Sequence, residues 1–162
     1  MEKFGLTFRD SISPRDEQHV REIVHSSGFF SEAEIDIAVE LVTERLQKGV
    51  ASGYHFIFTE VDQKTVGYTC FGPIPATKYS YDLYWIAVHN DYRGTGIGRQ
   101  LLEASEKAIK KMGGQRIYIE TSGREQYQPT RAFYLACGYR EEAVLKDFYA
   151  PDDSKFFFLK IV

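Results

Sequence analysis

The sequence predicts an α/β protein, α+β in detail, with one mixed sheet and helices on both faces. Three observations carry that expectation. Strand-like and helix-like runs follow one another in the order β-α-α-β-β-β-α-β-α-β-β. A strand-helix-strand alternation occurs only around positions 81–120, where a right-handed parallel crossover is expected. Turn-separated strand pairs elsewhere imply antiparallel hairpins. The 162 residues, 43% of them hydrophobic, are enough for a core, since a chain of this size buries roughly 70% of its unfolded surface. No repeat, low-complexity tract or long linker interrupts them, so residues 1–162 are expected to form a single domain.

Each element has its own signal. Phe4 to Arg9 alternates as a strand does. Ser13-Pro14 resembles an N-cap with proline in the first helical turn, and Val20, Ile23, Val24 and Ser27 then share a helix face up to Gly28. Ser31-Glu32-Ala33-Glu34 is a capping box, followed by a helix with Ile35, Ala38, Val42 and Leu46 inward. Tyr54 to Glu60 and Thr65 to Phe71 read as strands joined by a hairpin turn at Asp62-Gln63-Lys64. Tyr81 to Val88 is apolar and aromatic throughout, as a strand buried on both faces would be. Ile97 to Met112 is a helix with Ile97, Leu101, Ala104, Ala108 and Met112 inward, ended by Gly113-Gly114. Arg116 to Glu120 is a strand, Thr130 to Cys137 a short helix closed by Gly138, and Tyr139 to Asp147 and Lys155 to Ile161 a final hairpin.

Composition removes several function classes. A net charge of -3, from 20 basic and 23 acidic residues, gives no broad footprint for nucleic acid. Two cysteines make no disulfide framework and are expected as buried thiols. The four histidines show no metal-ligand spacing, so no metal is expected. No apolar stretch is of bilayer length and the N-terminal residues lack a signal-peptide core, so no membrane association and a cytoplasmic location are expected. The 24 aromatic residues, 15% of the chain, are an excess that composition does not explain.

The informative segment is Val88-His89-Asn90-Asp91-Tyr92-Arg93-Gly94-Thr95-Gly96-Ile97-Gly98-Arg99, joining a strand to a helix. Alternate glycines leave backbone N–H groups unobstructed at a helix N-terminus, a geometry that binds phosphate oxygens. Arg93 and Arg99 flank it. No Lys-Ser or Lys-Thr follows Gly98, which excludes a Walker loop, and Arg99 occupies the third glycine of a dinucleotide fingerprint. The spacing fits R-x-x-G-x-G, at Arg93, Gly96 and Gly98.

The run Trp85-Ile-Ala-Val-His-Asn-Asp-Tyr-Arg-Gly-Thr-Gly-Ile-Gly-Arg99 resembles the signature of the GNAT family of N-acetyltransferases. Ile119-Glu120-Thr121-Ser122 resembles that family's next strand, and Phe133-Tyr134-Leu135-Ala136-Cys137-Gly138-Tyr139 its F-Y-x-x-x-G-[FY] segment. The resemblance implies a GNAT-like acyl-CoA N-acyltransferase fold, with acetyl-CoA as cosubstrate. Arg93, Gly94, Thr95, Gly96, Ile97, Gly98 and Arg99 would hold its pyrophosphate, and Ile86, Ala87 and Val88 its pantetheine arm. The implied reaction is direct attack of an amine on the thioester in a ternary complex. It needs a base for the ammonium proton, a donor for the oxyanion and an acid for the thiolate. The resemblance implies Tyr134 as the acid and the Trp85–Val88 backbone as the oxyanion donor, through a bulge in that strand. Glu120 matches the base of the branch acting on protein N-termini. Asp82 lies near the position of the histone-type branch's glutamate, one methylene shorter. The family's coenzyme-contacting asparagine is replaced by Tyr127.

The acceptor would be a primary amine of a small molecule or peptide. It would border Phe29, Phe30, Tyr84 and Tyr149, with Tyr79, Tyr81 and the aspartates of Asp147–Asp153 nearby. Lys146-Asp147-Phe148-Tyr149 resembles the R-x-Y-Y hairpin of the N-terminal-amine branch, with one hydroxyl missing at Phe148. A homodimer stays open. Two rival readings also remain: a non-catalytic acyl-CoA-binding sensor, and an acyltransferase for a longer acyl-CoA.

Overall fold

The computed structural model describes residues 5–162; Phe4, expected to start the first strand, lies outside them. The elements are β1 (Leu6–Arg9), α1 (Arg15–Ser26), α2 (Glu32–Lys48), β2 (His55–Val61), β3 (Lys64–Pro73), β4 (Ser80–Val88), α3 (Ile97–Lys111), β5 (Arg116–Ser122), α4 (Gln128–Ala136), β6 (Arg140–Ala150) and β7 (Asp153–Ile161). Their order is the expected one, and the strands hydrogen-bond in the order β1-β2-β3-β4-β5-β7-β6. β4 and β5, joined through α3, are parallel, whereas β1-β2, β2-β3, β5-β7 and β6-β7 are antiparallel. No helix among the described residues is long and apolar enough to cross a membrane.

The chain divides into two compact units: residues 1–72 with 85–108, and residues 73–84 with 109–162. In the first, Val20, Ile23 and Val24 of α1 and Ile35, Ala38 and Val42 of α2 pack with Phe56, Phe58, Tyr68 and Cys70 of the β2-β3 hairpin. The capping box starts α2: Ser31 Oγ accepts from the Glu34 amide at 3.2 Å, and Glu34 Oε2 accepts from the Ser31 amide at 3.0 Å. Asp62 and Gln63 both take left-handed φ, 48° and 70°, the twist that a two-residue hairpin needs. Opposite α1 and α2, Thr69 of β3 meets Ser105 of α3 at 2.6 Å.

Three expectations are corrected. Ser13 does not cap α1: its amide donates to Asp16 Oδ2 at 2.8 Å, and the cap residue is Pro14. Buried Asp16 also takes Arg9 in a two-pronged pair and His19 Nδ1 at 2.9 Å, so the carboxylate organises this end of the helix. The strands buried on both faces are β2 and β3, not β4, in which only Leu83 is buried and Tyr84 is exposed. The inward stripe of α3 is Ile97, Leu101, Leu102, Ser105 and Ile109, while Ala104 and Ala108 are partly buried and Met112 is exposed beyond the helix end. The 3.6-residue period admits either stripe, and Leu102 and Ile109 carry more apolar surface than the two alanines.

In the second unit, β5 is flanked by β4 and β7, and β6 is an edge strand exposed at every position. Gly114 lets the chain pass beneath Tyr81, whose ring carbon would stand 2.7 Å from a Cβ there. Tyr134 of α4 packs on Tyr139 and Phe158, at 6.0 and 5.8 Å between ring centroids.

Candidate active site

The glycine-rich turn belongs to the first unit. After Val88 the chain makes a single 3-10 turn, Asn90–Tyr92, with His89 Nδ1 accepting from the Asp91 amide at 3.2 Å. Gly94 and Gly96 take φ of +74° and +82°, and nothing lies within 4 Å of where either Cβ would be. The turn is therefore left-handed and open where only glycine is unstrained. α3 starts at Ile97, so its first amides lack intrahelical acceptors and point out of the helix start. A phosphate suits this cradle by both donor geometry and helix dipole. Thr95 Oγ1 donates to the Tyr92 carbonyl, which fixes the turn. The Arg93 guanidinium lies 5.9 Å from the centre of the Phe29 ring, a cation-π distance. Ile86, Ala87 and Val88 are partly buried on β4.

The acid and base candidates all belong to the second unit. Asp82 is in register with Tyr118, and Glu120 lies two residues further along β5. Partners in register share a face, as do residues two apart, so Asp82 and Glu120 share one face. Glu120 pairs in register with Phe157, and Lys155 lies two residues before it on that same face. Lys155 Nζ donates to Glu120 Oε2 at 2.8 Å, with its side chain 13% exposed and that of Glu120 44% exposed. The ammonium also stands 4.2, 5.3 and 5.7 Å from the ring centres of Phe148, Phe157 and Tyr149. Burial and the Glu120 charge push the Asp82 carboxyl up to about 6, against the pull of Lys155. A carboxylate titrating there is matched to proton transfer near neutral pH.

Tyr134 is on the other side of β5 and β7, because it packs against Phe158, the register partner of Ile119. It is 6% exposed, and burial raises its phenol well above the ordinary value, keeping it a proton donor.

The aromatic residues separate by environment. Phe30 packs edge-on to Trp85 at 5.2 Å and belongs to the first unit's core. Phe29, Tyr79, Tyr84 and Tyr149 are exposed. Phe148 and Tyr149 form a T-shaped pair at 5.0 Å. Two of the aspartates of the final turn are held by neighbouring groups. Asp147 accepts from the Asp152 amide at 2.9 Å, and Asp153 holds Ser122 and Arg124. Lys155 and Phe157 were not anticipated from the sequence, because their place beside Glu120 depends on the β5-β7 register. A cavity of about 570 Å³ in the first unit, lined by Arg9, Arg15, His19, Glu60 and Lys64 among others, shares no residue with these groups. Among the described residues no cluster of His, Cys, Asp and Glu could hold a metal ion.

The open phosphate cradle at the start of α3 lies in the first unit, and the carboxylate pair and the donor tyrosine lie in the second. Residues 52–141 match the family model of the GNAT acetyltransferase domain, and the chain belongs to the GNAT family. It is 44% identical to a GNAT-family protein of Desulfovibrio desulfuricans, over 97% of this chain and 99% of that one, with a TM-score of 0.95. It is 31% identical over 111 residues to an N-alpha-acetyltransferase of Sulfurisphaera tokodaii, covering 62% of this chain and 65% of that protein, a little under two thirds of its length. The fold also matches the PaiA N-acetyltransferase of Thermoplasma acidophilum, crystallised with coenzyme A, at a TM-score of 0.73 and 19% identity, over 98% and 99% of the two chains.

Proposed function

We propose that this chain transfers an acetyl group from acetyl-CoA to a primary amine, by direct attack in a ternary complex, as one domain spanning residues 1–162. The observation that carries the reading is the open, left-handed glycine turn at the start of α3 in a chain of the GNAT family. Asp82 and Glu120 are the base candidates and Tyr134 is the acid candidate. Support for acetyl-CoA is the open turn at Gly94 and Gly96 and the coenzyme-bound relative. Arg93 and Arg99 would add charge-assisted bonds to its pyrophosphate.

In this reading one of the two carboxylates, Asp82 or Glu120, takes the proton from the acceptor ammonium. The free amine attacks the thioester carbonyl, whose oxyanion needs a backbone N–H donor. The C–S bond breaks, and the Tyr134 proton goes to the leaving thiolate. Burial holds the Cys70 thiol well above its ordinary pKa, leaving that thiol a poor nucleophile for a covalent route. A peptide α-amine is one acceptor class with support, from the printed activity of the Sulfurisphaera relative.

The test is thiol release from acetyl-CoA in the presence of peptides, polyamines, amino acids and aminoglycosides, with product mass. Acetylation of one amine class at enzymatic rate supports the reading. Tight acetyl-CoA binding without release for any acceptor would favour the sensor. Release only from longer acyl-CoA would favour the third reading.

A further inference from the structure

We propose that Lys155 is a self-acetylation site, its own amine occupying the position of the acceptor amine; this rests on the acetyltransferase reading above. An acceptor ammonium needs a carboxylate within hydrogen-bond reach, about 2.6–3.2 Å, to take its proton. Lys155 Nζ meets that requirement at 2.8 Å from Glu120 Oε2. A cationic amine entering the site would also be held by aromatic faces. Phe148, Phe157 and Tyr149 present theirs to Lys155 at 4.2, 5.3 and 5.7 Å. Among the described residues, Lys155 alone joins a carboxylate of the candidate base pair to an aromatic surround. Lys48 also pairs with a carboxylate, Glu44 at 2.7 Å, but it sits on α2 outside the site with its side chain 58% exposed. That makes Lys48 an internal control for chemical acetylation.

The step balances without a further reagent. Glu120 takes a proton from the Lys155 ammonium, and the amine attacks the acetyl carbonyl of acetyl-CoA. The N–C bond forms, the C–S bond breaks, and coenzyme A leaves as the thiol. The product amide carries no charge, so the ion pair with Glu120 is lost. An external acceptor must displace Lys155 from its place, and therefore competes with the reaction.

The experiment incubates the full chain with acetyl-CoA and no acceptor, then measures intact mass and maps the modified peptide. One acetyl group per chain on Lys155 is expected, at a rate independent of protein concentration. Lys155→Arg abolishes the modification, and Glu120→Gln slows it about a hundred-fold. Should Glu120→Gln fail to fold, added amine acceptor gives the second readout and must slow Lys155 labelling. Equal labelling of Lys48 and Lys155, unaffected by Glu120→Gln or by acceptor, would mean chemical acetylation and overturn the proposal. No label on Lys155 from a chain that acetylates an external amine would also overturn it, while leaving the proposed function standing. Loss of both reactions would remove the function and the inference together.

Discussion

Asp82→Asn should make the protein more stable above neutral pH and change little in acid. The rise of the Asp82 carboxyl from 3.8 to about 6 corresponds to about 3 kcal/mol of bias toward the neutral form. Asp82 is half-buried, and solvent screening reduces that to about 1 kcal/mol. The direction follows from proton binding. The folded chain holds this proton more tightly than the unfolded chain does, so the stability it contributes is complete below 3.8 and is lost as pH rises through about 6. Asparagine has the shape of the protonated acid and carries no charge at any pH. Urea unfolding of both proteins at about pH 8 and about pH 4 reads the effect. The variant should gain about 1 kcal/mol at the higher pH and almost nothing at the lower. A variant no more stable than the parent at about pH 8, or a gain that does not change with pH, would refute the reasoning. If the gain appears with a loss of turnover, Asp82 is a charge that the fold tolerates for the sake of chemistry.

Other outcomes follow from the same geometry. Gly96→Ala should cost about 1–2 kcal/mol from its φ of +82° alone, since no atom would crowd the new Cβ. It should also weaken acetyl-CoA binding about ten-fold, measured by calorimetry. Gly114→Ala should cost about 1–3 kcal/mol in urea unfolding, because the added Cβ meets Ile109 and the Tyr81 ring. Asp16→Ala should cost about 3 kcal/mol by leaving Arg9 without its main partner. Hydrogen bonds from Arg9, His19 and the Ser13 amide hold the Asp16 carboxyl below its ordinary 3.8 against burial. Its contribution is thus complete above 3.8 and lost as pH falls through the lower folded value, so the variant should show a shallower acid limb.

What the sequence made legible were features set by neighbours along the chain. The Ser31 capping box, the Asp62-Gln63 turn and the open glycines of the Arg93–Arg99 turn depend on a few consecutive residues, and each formed as expected. The parallel β4-β5 pair followed from the helix between them. Features set by register or by the other side of the sheet were harder to read. Lys155 is 35 positions from Glu120 in the chain (155 minus 120), and only the β5-β7 register places them together. The aspartates around Phe148 offer a cation site by composition, but local backbone and side-chain bonds claim Asp147 and Asp153. Phe30 looked like a channel residue by position, but Trp85 beside it makes it core. Ser13 has the residue type of a cap, but Asp16, with two carboxylate oxygens and a guanidinium partner, organises that end of α1.

In the proposed reaction Tyr134 delivers the proton that lets the thiolate leave. Its most direct test is turnover of Tyr134→Phe at saturating acetyl-CoA and acceptor, read as thiol release, since the substitution removes one hydroxyl and keeps the ring that packs on Tyr139 and Phe158. The expected result is a fall in kcat of about a hundred-fold or more, with acetyl-CoA affinity unchanged. Turnover equal to that of the parent chain would contradict it.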